Sequence, residues 1–109
     1  MKLVTAIVHN DDAKVLVDNL LRKGYRATII STTGGFLRQG NATVLVGVED
    51  HQLDDVLGIV KKTCHTRTQY INPLPPILEP GEMFVPSPVE VEVGGAAVFV
   101  LNVDQFHRF

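Results

Sequence analysis

Residues 3–24 read LVTAIVHNDDAKVLVDNLLRKG and form the segment that decides the fold. Residues 3–9 are rich in β-branched side chains, which predicts a buried strand. An Asn-Asp-Asp run then supplies capping side chains and negative charge, and apolar residues recur at helical spacing after it. This pattern predicts an amphipathic helix over about residues 11–23, with Gly24 as the residue just beyond its end.

The same order of a strand, a capped helix and a further strand recurs forty residues later. Further strands are predicted over residues 25–33, 41–48 and 68–71, and a second helix follows a cap at Glu49-Asp50. The apolar stripe of that helix consists of Leu53, Val56, Leu57, Val60 and Cys64. Two βαβ units in tandem predict an α+β, ferredoxin-like sandwich, with four antiparallel strands covered on one face by two helices. Association of identical subunits is the simplest cover for the free face and edges of this sheet.

All six prolines fall within residues 73–88, which divides the chain. Proline lacks the donor that a central strand needs, so this apolar segment is predicted to be a loop that packs on something. Beyond it, residues 89–93 read VEVEV, and a Gly-Gly pair and another apolar run follow, which predicts a C-terminal β-hairpin over 89–103 and a tail. We expect one domain over 1–109, composed of a body (1–72), the loop (73–88) and the hairpin with its tail (89–109).

Composition excludes several classes of protein. The 109 residues carry a formal charge of −2, which argues against a DNA- or RNA-binding protein held by bulk positive charge. The sequence has neither a long apolar run nor a cleavage-site pattern, so we expect a cytoplasmic protein without membrane insertion. The single cysteine cannot form an internal disulfide.

A local positive region lies inside this acidic chain. Residues 19–48 contain no Asp or Glu but include four arginines or lysines, and a TTGGFLRQGN segment (32–41) lies within them. Its glycines allow backbone N–H groups to converge on an anion, and Arg38 offers a fork to phosphate. Phe36 could stack on a base, and Asn41 could pair with the edge of adenine. An ordinary glycine-rich connection, with Phe36 folded onto the core and Asn41 in a turn, is the structural alternative.

The sequence has few residues in patterns typical of catalysis or metal binding. The four histidines are dispersed and have no partner at i+4, which favours surface histidines over a metal site. Cys64 lies on an apolar helical stripe and is predicted to be a core residue. The adjacent carboxylates Asp11-Asp12 and Asp54-Asp55 suit caps and solvated surfaces. We therefore expect a protein that is not an enzyme and has no metal or cofactor.

Two motifs together carry a family resemblance. TTGGFLR (32–38) followed by Gly40-Asn41, and PVEVEVGGA (88–96), closely resemble the PII-like cyclic di-AMP receptor family of Firmicutes. The resemblance runs almost end to end. It implies a PII-like homotrimer of ferredoxin-like subunits that binds three cyclic di-AMP molecules in the clefts between neighbours, and a signal-transduction protein that acts on a downstream partner still unknown.

The resemblance also implies a set of ligand-binding positions. Arg26 and Thr28 would contact the ligand from the second strand, Asn41 would read an adenine edge, and Gly47 would leave room for a nucleotide. Arg108 would approach from a neighbouring subunit. The full implied set is Arg26, Thr28, Gly34, Gly35, Phe36, Leu37, Arg38, Asn41, Gly47 and Arg108.

Two departures from the family pattern concern Arg108, where we expect glutamine nearby, and the 73–88 loop, where we expect a glycine-rich, tyrosine-containing version. The alternative function is a PII-type sensor of ATP or another nucleotide, or a divalent-metal-binding trimer related to copper-tolerance proteins. The short connection after the second strand, and the lack of clustered metal ligands, argue against both.

Overall fold

The computed structural model describes residues 1–30, 40–71 and 88–109. Six strands and two helices follow one another in these ranges: β1 (Lys2–His9), α1 (Asn10–Arg22), β2 (Ala27–Ile30), β3 (Asn41–Val48), α2 (Leu53–Cys64), β4 (Arg67–Ile71), β5 (Val89–Val93) and β6 (Ala96–Asn102). A 3-10 turn, Asp50–Gln52, precedes α2. The architecture is α+β, as predicted, and it is compatible with a ferredoxin-like fold. Neither helix in these ranges is long and apolar enough to cross a membrane.

The main sheet has four antiparallel strands in the order β2-β3-β1-β6. β1 lies in the interior and pairs with β3 on one side and with β6 on the other. The prediction that β4 is the fourth strand of this sheet was wrong. β6 takes that place beside β1, whereas β4 pairs with β5 in a separate two-stranded sheet.

The core lies between the main sheet and the two helices. Alternate residues of β1 and β3 point towards the helices and are buried, as the two-residue period of a strand requires. The buried apolar set is Val4, Ala6, Val8, Ala13, Leu16, Leu20, Ala42, Val44, Val46, Val48, Val56, Val60 and Cys64. Burial of a Val or Leu side chain contributes about 1.5–3 kcal/mol, so this layer is the main source of stability of the fold.

The ends of α1 are fixed by local hydrogen bonds. At its C-terminus, Gly24 donates to the Leu21 carbonyl and Tyr25 donates to the Leu20 carbonyl. Gly24 has φ +86°, so the helix ends in a Schellman motif with the predicted glycine in place. The N-cap is His9, not the Asn10-Asp11-Asp12 run, because the helix begins at Asn10 and His9 Nδ1 accepts a hydrogen bond from the Asp11 backbone.

The predicted C-terminal hairpin does not form. β5 and β6 are both present and are joined by Gly94-Gly95, with φ +82° and +84°, as a tight turn after VEVEV requires. The two strands do not pair with each other, however. β5 pairs with β4 and β6 pairs with β1, so the two glycines carry the chain from the small sheet to the main sheet.

A charged contact joins the small sheet to the helical layer. Arg67, the first residue of β4, places Nη2 2.9 Å from Asp12 Oδ1 and Nη1 3.3 Å from Asp12 Oδ2. Asp12 lies in the first turn of α1 and is buried. The hydrogen bonds from Arg67 satisfy a carboxylate that burial would otherwise destabilise, and they raise the pKa of the guanidinium.

Candidate functional site

The main sheet has one face without helices, which we call the open face. On β6, Phe99 and Leu101 lie on this face opposite Thr5 and Leu3 of β1, and both side chains are more than half exposed, at 56% and 51%. Ile30 of β2 adds further exposed apolar surface to it. Exposed apolar surface of this kind typically marks an interface. The predicted free face therefore exists, although β6, not β4, completes it.

One end of β2 and β3 brings three of the implied ligand residues to the same region. Thr28 lies opposite Leu45 on the open face, and Ala27 lies opposite Val46. Extending that register by one residue sets Arg26, which precedes β2, opposite Gly47. Arg26 and Thr28 are both exposed. This end thus offers a guanidinium, a hydroxyl and a glycine side by side.

Gly47 has no explanation within the described part of the chain. Its φ is not positive, and a Cβ built on it meets no atom of the described residues within 4 Å. Glycine in the interior of a strand is unfavourable for backbone entropy and often marks the close approach of another molecule. Among the described residues, Gly47 is therefore a position with open space in front of it.

Asn41 lies at the other end of β3, where it pairs in register with His9. Its side chain is half-buried. Residues 41 and 47 are six apart, so their side-chain directions share the open face, but the strand separates them by about 20 Å at roughly 3.3 Å per residue. One protomer therefore does not bring Asn41 together with Arg26, Thr28 and Gly47.

The C-terminal tail leaves the sheet at the Gly47 end. Lys2 pairs with Asn102 at the end of β6, and Leu3 pairs with Gly47. Arg108 is exposed in this tail, and the rings of its neighbours His107 and Phe109 stack with their centroids 5.9 Å apart.

Five of the implied ligand residues lie outside the described residues: Gly34, Gly35, Phe36, Leu37 and Arg38. Their roles stay predictions, as do those of the 73–87 part of the proline-rich loop. The described chain leaves β2 at Ile30 and resumes at Gly40, beside the Asn41 end of the sheet.

The cations of the acid-free window divide between two surfaces. Arg26 precedes β2 at the edge of the sheet, whereas Arg22 and Lys23 lie at the end of α1 and line a groove between the helices. The sequence predicted a single positive patch, but the described cations separate because the turn at Gly24 lies between them.

The described ranges hold no group of three or more His, Cys, Asp or Glu side chains arranged to bind a metal ion. Cys64 is buried among core residues, and desolvation raises the pKa of its thiol to about 11. A thiol with so high a pKa is a poor nucleophile near neutral pH, in keeping with the predicted structural role.

Two features escaped prediction from the sequence. The Asp12–Arg67 pair spans 55 positions and had no local signal. The open-face residues Phe99 and Leu101 lie in a continuous apolar run (96–101), so no alternation marked their face and placing them required β6 in the main sheet.

Comparison with known proteins identifies the family. A family model described as "Cyclic-di-AMP receptor" matches residues 1–109, the whole chain. The chain belongs to the cyclic di-AMP receptor family. Family membership indicates a signalling protein whose ligand is cyclic di-AMP.

A solved structure agrees with the described fold. The chain is similar to a protein from Pediococcus pentosaceus ATCC 25745, whose crystal structure is described as that of a functionally unknown protein. The two are 45% identical with a TM-score of 0.77, and the match covers 99% of this chain and 96% of the other. This likeness supports the fold, while the ligand class rests on the family.

Proposed function

We propose that this chain is a cytoplasmic PII-like signal-transduction protein, that it forms a homotrimer, and that it binds cyclic di-AMP in the clefts between neighbouring subunits. Binding alters its surface and relays the signal to a downstream protein. The observation that carries this proposal is the match of residues 1–109 to the cyclic di-AMP receptor family.

The open face supports self-association. Phe99, Leu101 and Ile30 present exposed apolar side chains on a sheet whose other face is already covered by helices. Packing these faces around a threefold axis removes them from water, and each buried side chain of this size adds about 1.5–3 kcal/mol. A closed ring of identical subunits would also cover the free face of the sheet, as the sequence predicted.

The separation along β3 supports a site shared between subunits. Asn41 and Gly47 share the open face but lie about 20 Å apart in one protomer. A neighbour that turns its Asn41 end towards the Gly47 end of the first subunit places both residues at one ligand. Each cleft would then take complementary residues from two chains.

Each residue has a chemical role in this proposal. Arg26 offers a bidentate fork to a phosphate or a base edge, and Thr28 adds a hydroxyl donor. Gly47 leaves space for a nucleotide, and Asn41 pairs with the adenine edge. Phe36 supplies a stacking surface.

The remaining residues of the proposed site border these contacts. Gly34, Gly35 and Leu37 line the cleft, Arg38 adds positive charge near the phosphates, and Arg108 reaches over from the neighbouring subunit.

Isothermal titration of the whole protein with cyclic di-AMP tests the ligand, and analytical ultracentrifugation tests the trimer. Asn41→Ala and Phe36→Ala should each weaken binding by about 1–3 kcal/mol through lost base readout and stacking. Asn19→Ala, which removes an amide from α1, is the matched control and should bind normally. No measurable binding by the wild-type protein, alongside a control receptor that binds, would overturn the proposal. So would a larger thermal shift with ATP, cyclic di-GMP or copper.

A mixing experiment tests whether the site is shared. Gly47→Val should fold, because its Cβ meets open space among the described residues, yet it should block the ligand. When Asn41→Ala and Gly47→Val chains are refolded together in equal amounts, about a quarter of the clefts regain both wild-type halves if each cleft draws on two chains. Recovery of tight binding in the mixture supports the shared cleft, and none at all contradicts it.

A further inference from the structure

The two helices enclose a groove of about 550 Å³ on the helix-covered side of the sheet, away from the open face. The first helix contributes Val15, Asn19 and Arg22, and Lys23 follows at its end. The second contributes Ile59, Lys62 and Thr63. None of these residues belongs to the proposed ligand site.

The floor of this groove is apolar and its polar atoms satisfy each other. Asn19 Nδ2 donates a hydrogen bond to Thr63 Oγ1 across 3.0 Å. This bond joins the two helices and gives both side chains a partner within the protein. Val15 is half exposed beside this pair, and Ile59 packs partly on the core below it. The floor therefore favours an apolar side chain.

The rim of the groove carries one sign of charge. Arg22, Lys23 and Lys62 line it, and no Asp or Glu does. Within the described ranges none of these three cations forms an ion pair with a carboxylate. In a chain with a net charge of −2, three cations without a lining anion are a local exception that attracts negative charge.

We propose that this groove docks an acidic, amphipathic segment of a partner protein. An apolar side chain of the segment sits between Val15 and Ile59, and its carboxylates meet Arg22, Lys23 and Lys62. Charge complementarity around an apolar centre is the usual anatomy of such an interface. The groove is separate from the open face, so docking remains possible in a trimer that buries that face. The groove would serve as the output surface of the proposed relay, and its docking of a partner does not depend on the identity of the ligand.

The test uses the whole protein and a defined probe, a fluorescein-labelled helical peptide of about 18 residues with leucines on one face and glutamates on the other. Its comparator carries lysines in place of the glutamates. Fluorescence anisotropy at low salt should show the glutamate peptide binding at least about tenfold more tightly than the lysine peptide, with affinity falling as salt rises.

Two matched variants locate the interaction. Lys62→Glu should weaken binding of the glutamate peptide by about tenfold, because it reverses a charge on the rim. Lys14→Glu makes the same charge change on an exposed part of α1 that does not line the groove and should leave affinity within about twofold. Equal loss in both variants, equal binding of both peptides, or no binding of the glutamate peptide would overturn the inference.

Titration of cyclic di-AMP into the same samples separates this inference from the proposed function. Lys62→Glu should keep the wild-type affinity for cyclic di-AMP, since Lys62 is not among the proposed ligand residues. Peptide binding without cyclic di-AMP binding would refute the proposed function alone, and the reverse result would refute the docking groove alone.

Discussion

Replacing Gly94 by alanine perturbs the point where the chain passes from the small sheet to the main sheet. Gly94 has φ +82°, a conformation that costs an L-residue about 1–2 kcal/mol. A Cβ at this position would also lie 2.5 Å from Arg67 Nη1 and 2.6 Å from the His65 carbonyl oxygen. The Arg67 side chain can move aside, but the carbonyl belongs to the backbone, so the strand junction itself must shift.

The expected magnitude is the sum of these two effects. Forcing a methyl group into filled space typically costs about 1–3 kcal/mol, so Gly94→Ala should lower the free energy of unfolding by about 2–5 kcal/mol in total. Gly24→Ala is the matched control. Gly24 has φ +86°, but its Cβ would meet nothing within 4 Å among the described residues, so only the backbone effect of about 1–2 kcal/mol applies. The loss of unfolded-state entropy on Gly→Ala is shared and cancels between the variants.

Urea denaturation followed by far-ultraviolet circular dichroism, at one fixed protein concentration, measures both variants against the wild type. The fixed concentration matters because unfolding of an oligomer depends on it. If Gly94→Ala costs no more than Gly24→Ala, the crowding of Gly94 against Arg67 and His65 is refuted. A larger cost for Gly94→Ala confirms that packing at the junction, beyond its backbone conformation, requires glycine.

Three further predictions concern single side chains. The Cys64 thiol, buried and with its pKa raised to about 11, should react with a disulfide reagent at pH 8 only when urea unfolds the protein; rapid reaction of the native protein would contradict its burial. The pKa of Tyr25 is raised chiefly by the hydrogen bond from its hydroxyl to Asp55 Oδ2, at 2.6 Å. The contribution of this bond to stability is therefore present below pH 10 and lost as pH rises through the folded-state pKa. Ultraviolet titration in a Tyr70→Phe background should show Asp55→Asn moving that pKa back down, and an unchanged curve would count against the bond. Phe99→Glu places a charge on the open face, and if the proposed trimer packs through that face it should convert trimers to monomers in sedimentation; intact trimers would exclude Phe99 from the interface.

Local sequence patterns predicted the helices and strands of this fold because the spacing of apolar residues and the residues at the ends mark each element. The stripe from Leu53 to Cys64 predicted α2 with the correct buried face, and β3 begins and ends at the predicted residues. Gly24 ends α1 as predicted, since the hydrogen bonds of a Schellman motif join only residues near one another in the sequence. The His9 cap was missed because histidine is not a usual capping residue, while the Asn and Asp residues beside it are.

Strand pairing was the part that local signals could not decide. The VEVEV run and Gly94-Gly95 suit a hairpin, and both glycines do adopt positive φ. The same alternation, however, fits any antiparallel partner of similar length. β5 pairs with β4, and β6 pairs with β1, where Val98 packs against the core. Competition between distant partners is a tertiary effect, so a turn with the right residues need not close a hairpin.

The candidate site also shows that local sequence patterns do not decide long-range arrangement. The period of a strand already predicts that Asn41 and Gly47 share a face, because six residues is an even number of steps. It equally predicts that they lie about 20 Å apart, so one chain alone cannot place both residues at the same part of a ligand. The residue types indicate what each position can recognise, and the register indicates where each lies. In the proposed homotrimer, the arrangement of subunits brings them to one ligand. That arrangement would depend on the exposed apolar residues of the open face and not on the binding motif itself. This proposal couples ligand recognition and self-association through one sheet, so a substitution that weakens packing at Phe99 should also weaken binding at Asn41, although the two side chains serve different purposes.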